Sequence, residues 1–181
     1  FQNRLNVTLD WYTSKTKDLL YTYTVPVPPF TYNTLLANMG EMTNSGFEIG
    51  VRGDIIRTKD FTFNSGMNLS FQKNKLNSLS GTYKGQRLTT SEHIPVANIN
   101  AAGLTQNTGV TYLMEGQPIG VFYLPHCKGI DDKGQYIIED LDKNGTIDTG
   151  DSGDRKVCGQ AIPKAYLGWD FTFKYKNWDL T

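Results

Sequence analysis

Apolar and polar residues alternate with a period of two in four stretches of the chain. In the first, Leu5, Val7, Leu9 and Trp11 share one face, with Asn6, Thr8 and Asp10 on the other. The second sets Phe47, Ile49, Val51 and Ile55 against Glu48, Gly50, Arg52 and Asp54. The third sets Phe61, Phe63, Met67, Leu69 and Phe71 against Thr62, Asn64, Asn68 and Ser70, and the fourth Leu167, Trp169, Phe171, Phe173 and Tyr175 against Gly168, Asp170, Thr172 and Lys174. Successive side chains of a strand point to opposite sides, so the pattern predicts strands at about 3–13, 46–56, 60–72 and 165–176.

The connections between these strands are unequal. Arg57-Thr58-Lys59-Asp60 and Lys176-Asn177-Trp178-Asp179 are compact polar turns, whereas two long loops are expected at about 14–45 and 73–164. Up-and-down order puts the short turns on one rim and the long loops on the other, as in transmembrane β-barrels, where the turns are periplasmic and the loops extracellular. The expected fold is therefore all-β, with antiparallel strands of a transmembrane barrel and long extracellular loops. Trp11, Phe47 and Phe71 fall near the outer ends, and Phe61, Phe173, Tyr175 and Trp178 near the periplasmic ends, where interfacial girdles form. A membrane barrel needs at least about eight strands. A strand begins almost at the first residue and Asp179-Leu180-Thr181 reads as the start of another, so the chain is expected to be a segment of a larger barrel. The strands of a soluble β-sandwich alternate in the same way, and periodicity serves both readings equally.

The first loop contains Val25-Pro26-Val27-Pro28-Pro29-Phe30, which prolines are expected to hold near polyproline II. The second is too long to be structureless in a compact fold and is expected to carry substructure and function. Within it, Gly129 to Ile138 reads as a small hairpin turning at Asp132-Lys133-Gly134. The 181 residues carry a formal net charge of zero, so no electrostatic case exists for a nucleic-acid partner. No long apolar run predicts a transmembrane helix, which leaves spanning strands open.

The sharpest chemical signal is the run from Asp140 to Asp151. It follows the calcium-loop pattern, with side-chain oxygens from Asp140, Asp142 and Asn144, a bend at Gly145, the carbonyl of Thr146, a contact from Asp148 and a closing carboxylate from Asp151. Asp151 stands where a bidentate Glu is usual, which shortens the reach, and no flanking helices are apparent. An acidic turn folded through Asx hydrogen bonds is the metal-free alternative. Cys127 and Cys158 bracket this loop and form a possible disulfide, with free thiols as the alternative. His93 and His126 lie in no nucleophile or zinc pattern, and no nucleophile elbow or phosphate loop occurs, so no enzyme is expected. Glu139 and Asp140 imitate a glycosidase pair only by adjacency. Tyr83, Tyr112, Phe122 and Tyr123 are candidates for stacking on sugars or peptides, or for packing within the loops.

Specific words in the sequence then become recognisable. Asn3-Arg4-Leu5 through Trp11-Tyr12, Lys17-Asp18-Leu19-Leu20, Asn38-Met39-Gly40, Asn44-Ser45-Gly46-Phe47-Glu48, and Asn68-Leu69-Ser70 with Asn74-Lys75-Leu76 occur in order. Glu115-Gly116-Gln117-Pro118-Ile119-Gly120, Gly129-Ile130-Asp131, Asp140 to Gly145 and Gly159-Gln160-Ala161-Ile162-Pro163-Lys164 continue the series. Together these resemble the late barrel strands of SusC/RagA-type TonB-dependent outer-membrane transporters. The resemblance implies a barrel of about twenty-two strands with an internal plug, a SusD-like surface lipoprotein over its outer mouth, and import of oligosaccharides or peptides powered by TonB. The plug and the TonB-contacting segment have no counterpart in these residues, and no substrate-binding residue is assigned. Two rivals remain at this point: a secreted or surface β-sandwich module using the acidic loop for calcium-dependent glycan or protein binding, and a fragment of a glycan-degrading enzyme.

Overall fold

A computed structural model describes residues 4–99, 108–150 and 153–181. Thirteen strands, and no helix, occur among the described residues: β1 (Leu5–Thr24), β2 (Thr34–Arg57), β3 (Phe61–Ser78), β4 (Gly81–Tyr83), β5 (Gln86–Leu88), β6 (Ile94–Ile99), β7 (Thr108–Leu113), β8 (Val121–Pro125), β9 (Cys127–Ile130), β10 (Tyr136–Ile138), β11 (Arg155–Gln160), β12 (Ala165–Tyr175) and β13 (Trp178–Leu180). They form a five-stranded sheet in the order β1-β2-β3-β12-β13, a four-stranded sheet in the order β11-β8-β7-β6, and the pairs β4–β5 and β9–β10. The chain divides into two compact units, one comprising Phe1–Ser14, Asn44–Lys73 and Pro163–Thr181, the other Lys15–Thr43 and Asn74–Ile162.

In the first unit the period-two pattern becomes cross-strand pairing. β12 runs antiparallel to β3 from Ala165 opposite Phe71 to Tyr175 opposite Phe61, without a bulge. Odd residues therefore face odd residues, placing Leu167 beside Leu69, Trp169 beside Met67 and Phe173 beside Phe63. The last pair stacks with ring centroids 4.5 Å apart. A slip of one residue would carry every apolar side chain to the polar face, so the pattern itself fixes the parity of the pairing. Trp11, Leu167 and Trp169 are 73%, 66% and 71% exposed. Side chains on the inner face of a sandwich would be covered by a second sheet. That arrangement is absent among the described residues, and the β-sandwich alternative is not supported.

The short turns form where expected. Thr58 N–H donates to the Phe61 carbonyl at 2.8 Å, and Phe61 N–H donates to Thr58 Oγ1 at 3.0 Å. β12 turns into β13 through Lys176-Asn177, with Tyr175 opposite Trp178 and Phe173 opposite Leu180. The terminal strand expected around Asp179 is thus present, and it begins one residue earlier, at Trp178.

The long connections differ from expectation. β1 runs on to Thr24 and β2 starts at Thr34, so most of the loop placed at 14–45 is strand and only residues 25–33 join the two. β3 likewise runs past 73 to Ser78, and eight strands lie between it and β12. Lys15, Lys17 and Asp18 interrupt the apolar alternation near Tyr12, but the hydrogen-bonded ladder needs no apolar face to continue. The proline-rich segment is a turn rather than polyproline II, which has no internal hydrogen bonds. Phe30 N–H donates to the Pro26 carbonyl, and Val25 N–H to the Asn33 carbonyl at 2.9 Å. The small hairpin is found as β9–β10, with Tyr136 opposite Ile130.

Buried apolar clusters lie in the second unit. One joins Tyr23, Val25, Ala37 and Leu88, with Tyr21, Phe30, Leu35, Met39 and Tyr83 packed around it; the other joins Tyr112, Val121 and Tyr123. Tyr112 and Tyr123 are thus core residues, not open stacking platforms, and the ring of His93 stacks on Tyr123 at 4.3 Å. The Glu115–Gly120 segment is fastened to the end of β3 at three levels. Glu115 Oε1 accepts from Leu79 N–H at 2.6 Å, Ser80 N–H at 2.8 Å and Ser80 Oγ at 2.7 Å. Gly116 N–H donates to the Leu76 carbonyl at 2.7 Å, and Ile119 N–H to the buried Asn74 Oδ1 at 2.7 Å.

Candidate functional site

Two polar constellations stand out, one in each unit. The first occupies the even-numbered face of the five-stranded sheet. Arg52 Nη2 lies 3.0 Å from both carboxylate oxygens of Asp170, Asn64 Nδ2 donates to Asp54 Oδ1 at 2.6 Å, and Ser70 Oγ donates to Glu48 Oε1 at 3.1 Å. Gly66, opposite Asp170, leaves room for the ion pair, because a Cβ there would lie 2.7 Å from Asp170 Oδ1. A groove of about 290 Å³ crosses the same face between Thr8, Asp10, Glu48, Gly50, Asn68 and Ser70. Cross-strand polar pairs of this kind hold register and offer hydroxyl, amide and carboxylate groups to water or a polar guest.

The second constellation is the acidic loop. Gly145 N–H donates to Asp140 Oδ2 at 2.9 Å, Asn144 N–H to Asp142 Oδ1 at 3.1 Å, Thr146 N–H to Asn144 Oδ1 at 2.7 Å and Gly150 N–H to Asp148 Oδ1 at 2.8 Å. These are Asx-type turns, and the Gly145 N–H holds the Asp140 carboxyl below its ordinary range. The structure brings together oxygens of Asp140, Asp142 and Asp154, all within 4.8 Å of one another. Asp154 was not among the residues expected from the loop pattern. It is buried, and it accepts from Leu141 N–H at 2.6 Å and from Asp148 N–H at 2.9 Å. It falls three residues beyond the twelve-residue pattern, so spacing alone carries no signal for it. Among the acidic residues of the loop Asp148 is not in that cluster, and Asp151 lies outside the described residues. Asp140 Oδ1 is buried and has no hydrogen-bond partner among the described residues.

Next to this loop, Glu139 is ringed by basic side chains. Lys156 Nζ lies 2.6 Å from Oε2, His126 Nδ1 2.8 Å from Oε2 and Lys128 Nζ 3.5 Å from Oε1. The Lys156 contact is the chief reason that the Glu139 carboxyl is lowered from 4.5 to about 2. A carboxyl held ionised in this way has no proton to give as the general acid of a glycosidase pair. Arg155, also buried, donates from Nε to the Thr149 carbonyl and from Nη1 to Tyr112 Oη, each at 2.8 Å, tying the loop to the core cluster. Cys127 and Cys158 are free and exposed; Cys127 Sγ lies 3.0 Å from the Gly129 carbonyl, and Cys158 sits at the bulge of β11 between Val157 and Gly159.

The family model that matches the whole chain, residues 1–181, is TonB dependent receptor-like, beta-barrel. The chain belongs to this family. TonB-dependent receptor P3 of Formosa agariphila is 30% identical over 197 residues, covering 99% of this chain and 18% of that protein. TonB-dependent receptor SusC of Bacteroides thetaiotaomicron is 27% identical over 181 residues, covering 98% of this chain and 17% of SusC. The RagAB peptide importer in its open-open state superposes with a TM-score of 0.67 at 22% identity, over 99% of this chain and 18% of that one. This TonB-dependent receptor segment therefore spans about a fifth of the length of the relatives it matches. The chain thus shares the barrel fold of SusC- and RagA-type receptors, and its five-stranded sheet is not closed on itself.

Proposed function

We propose that this segment supplies wall and outer loops to an outer-membrane TonB-dependent importer of oligosaccharides or peptides, closed from outside by a SusD-like surface lipoprotein and energised by TonB through parts of the protein beyond these residues. The observation that carries the reading is the unbroken β3–β12 register, which gives a sheet with an exposed apolar face and a hydrogen-bonded polar one in a chain matched throughout by the barrel family. The apolar face then meets lipid and the polar face a watery lumen, as outer-membrane strands require. Deleting the gene and restoring it with intact or TonB-box-deleted protein tests this directly. Growth on a purified oligosaccharide or peptide mixture should be restored by the intact protein alone, and a surface lipoprotein should co-purify with it. Restoration without the TonB-contacting segment would remove the importer reading.

The acidic loop is proposed to bind Ca²⁺. Asp140, Asp142 and Asp154 supply three hard oxygen donors in one cluster, and the unpartnered Asp140 Oδ1 is a buried acceptor that a cation would satisfy. Bound there, the ion would order the loop from Asp140 to Arg155; no transport step is assigned to it.

A further inference from the structure

The β1–β2 connection, the start of β2 and the β4–β5 hairpin line a half-open pocket of about 380 Å³, formed by Pro29, Phe30, Leu35, Tyr83, Lys84 and Gln86. Its walls are built rather than incidental. Val25 is buried in the cluster with Tyr23, Ala37 and Leu88, and Phe30, Leu35 and Tyr83 pack on that cluster with one side and face the pocket with another. The turn of Phe30 N–H onto the Pro26 carbonyl holds the Pro29–Phe30 wall in place. Opposite it, Tyr83 pairs with Gln86 across a two-residue turn in which Lys84 and Gly85 have φ of 47° and 82°. Two successive positive φ values define a type I′ hairpin, whose short loop fixes the root of the Lys84 side chain. The Lys84 ammonium lies 5.6 Å from the Tyr83 ring centroid and makes no salt bridge among the described residues.

We infer that this pocket is a subsite for the apolar C-terminal residue of a short peptide, its side chain on Phe30 and Leu35 and its terminal carboxylate on the Lys84 ammonium. The chemistry of the lining selects this occupant. A floor of Pro29, Phe30 and Leu35 rewards burial of a hydrocarbon side chain, and the cation at the rim calls for an anion at one end of the guest. The Gln86 amide has both a donor and an acceptor for the last peptide group. A uronate offers the same anion, but its ring hydroxyls would lose water against an apolar floor with no partner to replace it. The subsite rests on the importer reading for the source of its peptide, while binding itself does not require transport.

The test uses the full-length protein in detergent and two probes, N-acetyl-Leu-Phe with a free carboxylate and the same dipeptide as its C-terminal amide. Calorimetric titration should show the acid binding about tenfold more tightly than the amide. Lys84→Asn should abolish that difference; it makes an Asn-Gly turn, the sequence type I′ hairpins favour, so the hairpin is kept. Leu35→Asp should weaken both probes. Equal affinity for acid and amide, an acid preference that survives Lys84→Asn, absence of binding, or binding of tri-galacturonate in place of the peptides would each overturn the inference. TonB-dependent uptake measured separately distinguishes the two failures: uptake with no peptide binding removes the subsite alone, whereas peptide binding without TonB dependence removes the importer reading alone.

Discussion

Phe171→Lys is the most direct perturbation of the lipid-facing assignment. β12 has 11 residues, Ala165–Tyr175, and Phe171 is close to its middle. At about 3.3 Å per residue and a tilt near 40°, such a strand rises roughly 27 Å along the membrane normal, close to the ~25 Å height of an apolar band. Phe171 therefore falls near the midplane, where a Lys costs about 2–4 kcal/mol. The substitution also removes edge contacts to Trp169 at 6.2 Å and Phe173 at 5.6 Å, each adding about 0.5–1.5 kcal/mol. Thr172→Lys places the same charge one residue away, opposite Asn64 on the polar face, and should cost close to nothing. The folding equilibria of the two variants should differ by at least about thirtyfold. Urea unfolding of the full-length protein in lipid vesicles, read by heat-modifiable gel mobility, measures the difference. Equal destabilisation by both variants, or a larger effect from Thr172→Lys, would refute the face assignment.

Calcium should protect the acidic loop from proteolysis in the full-length protein, and Asp142→Asn should abolish the protection; identical digestion with Ca²⁺ and with chelator would end the metal proposal. Glu139 gives a pH prediction. Its carboxyl lies at about 2 when folded against 4.5 as a free side chain, so its contribution to loop stability is complete above about 4.5 and is lost as pH falls towards 2. Amide protection factors around Lys156, normalised to the intrinsic exchange rate at each pH, should therefore fall across that window, and Glu139→Gln should flatten the profile; a profile unchanged by Glu139→Gln would show that the basic side chains do not act through this carboxylate.

The strands of the five-stranded sheet were the legible part of the sequence, because an apolar face and a polar face each impose a hydrophobicity pattern on alternate residues. The β3–β12 pairing joins residues about a hundred positions apart, yet its parity could be read from Phe63 and Phe173 alone. The rest of β1 was not legible. Asp18 adopts φ of 61°, the left-handed backbone typical of a bulge, and the exposure pattern then changes phase: Leu9 and Trp11 are exposed, but Tyr23 is buried. A reading at a fixed period of two cannot carry through such a residue. At the acidic loop the turn geometry of Asp140, Asp142 and Asn144 followed from spacing. Asp154 did not, because the fold beyond the loop, and not its spacing, brings that carboxylate back. For Tyr112 and Tyr123 the sequence left stacking on a guest and packing within the loop both open, and Val121, which buries them together, decides for packing.

The fastening of Glu115–Gly120 along Asn74–Ser80, together with the bond from Ala161 N–H to the Gly120 carbonyl at 3.0 Å, cuts one very long excursion into several short closed circuits. Closure entropy grows only slowly with length, so residues added inside one circuit burden that circuit alone. Evolution can thus lengthen, shorten or exchange the hairpins hung from these knots while the wall keeps its alignment, and one scaffold becomes the chassis for many interchangeable outer fittings.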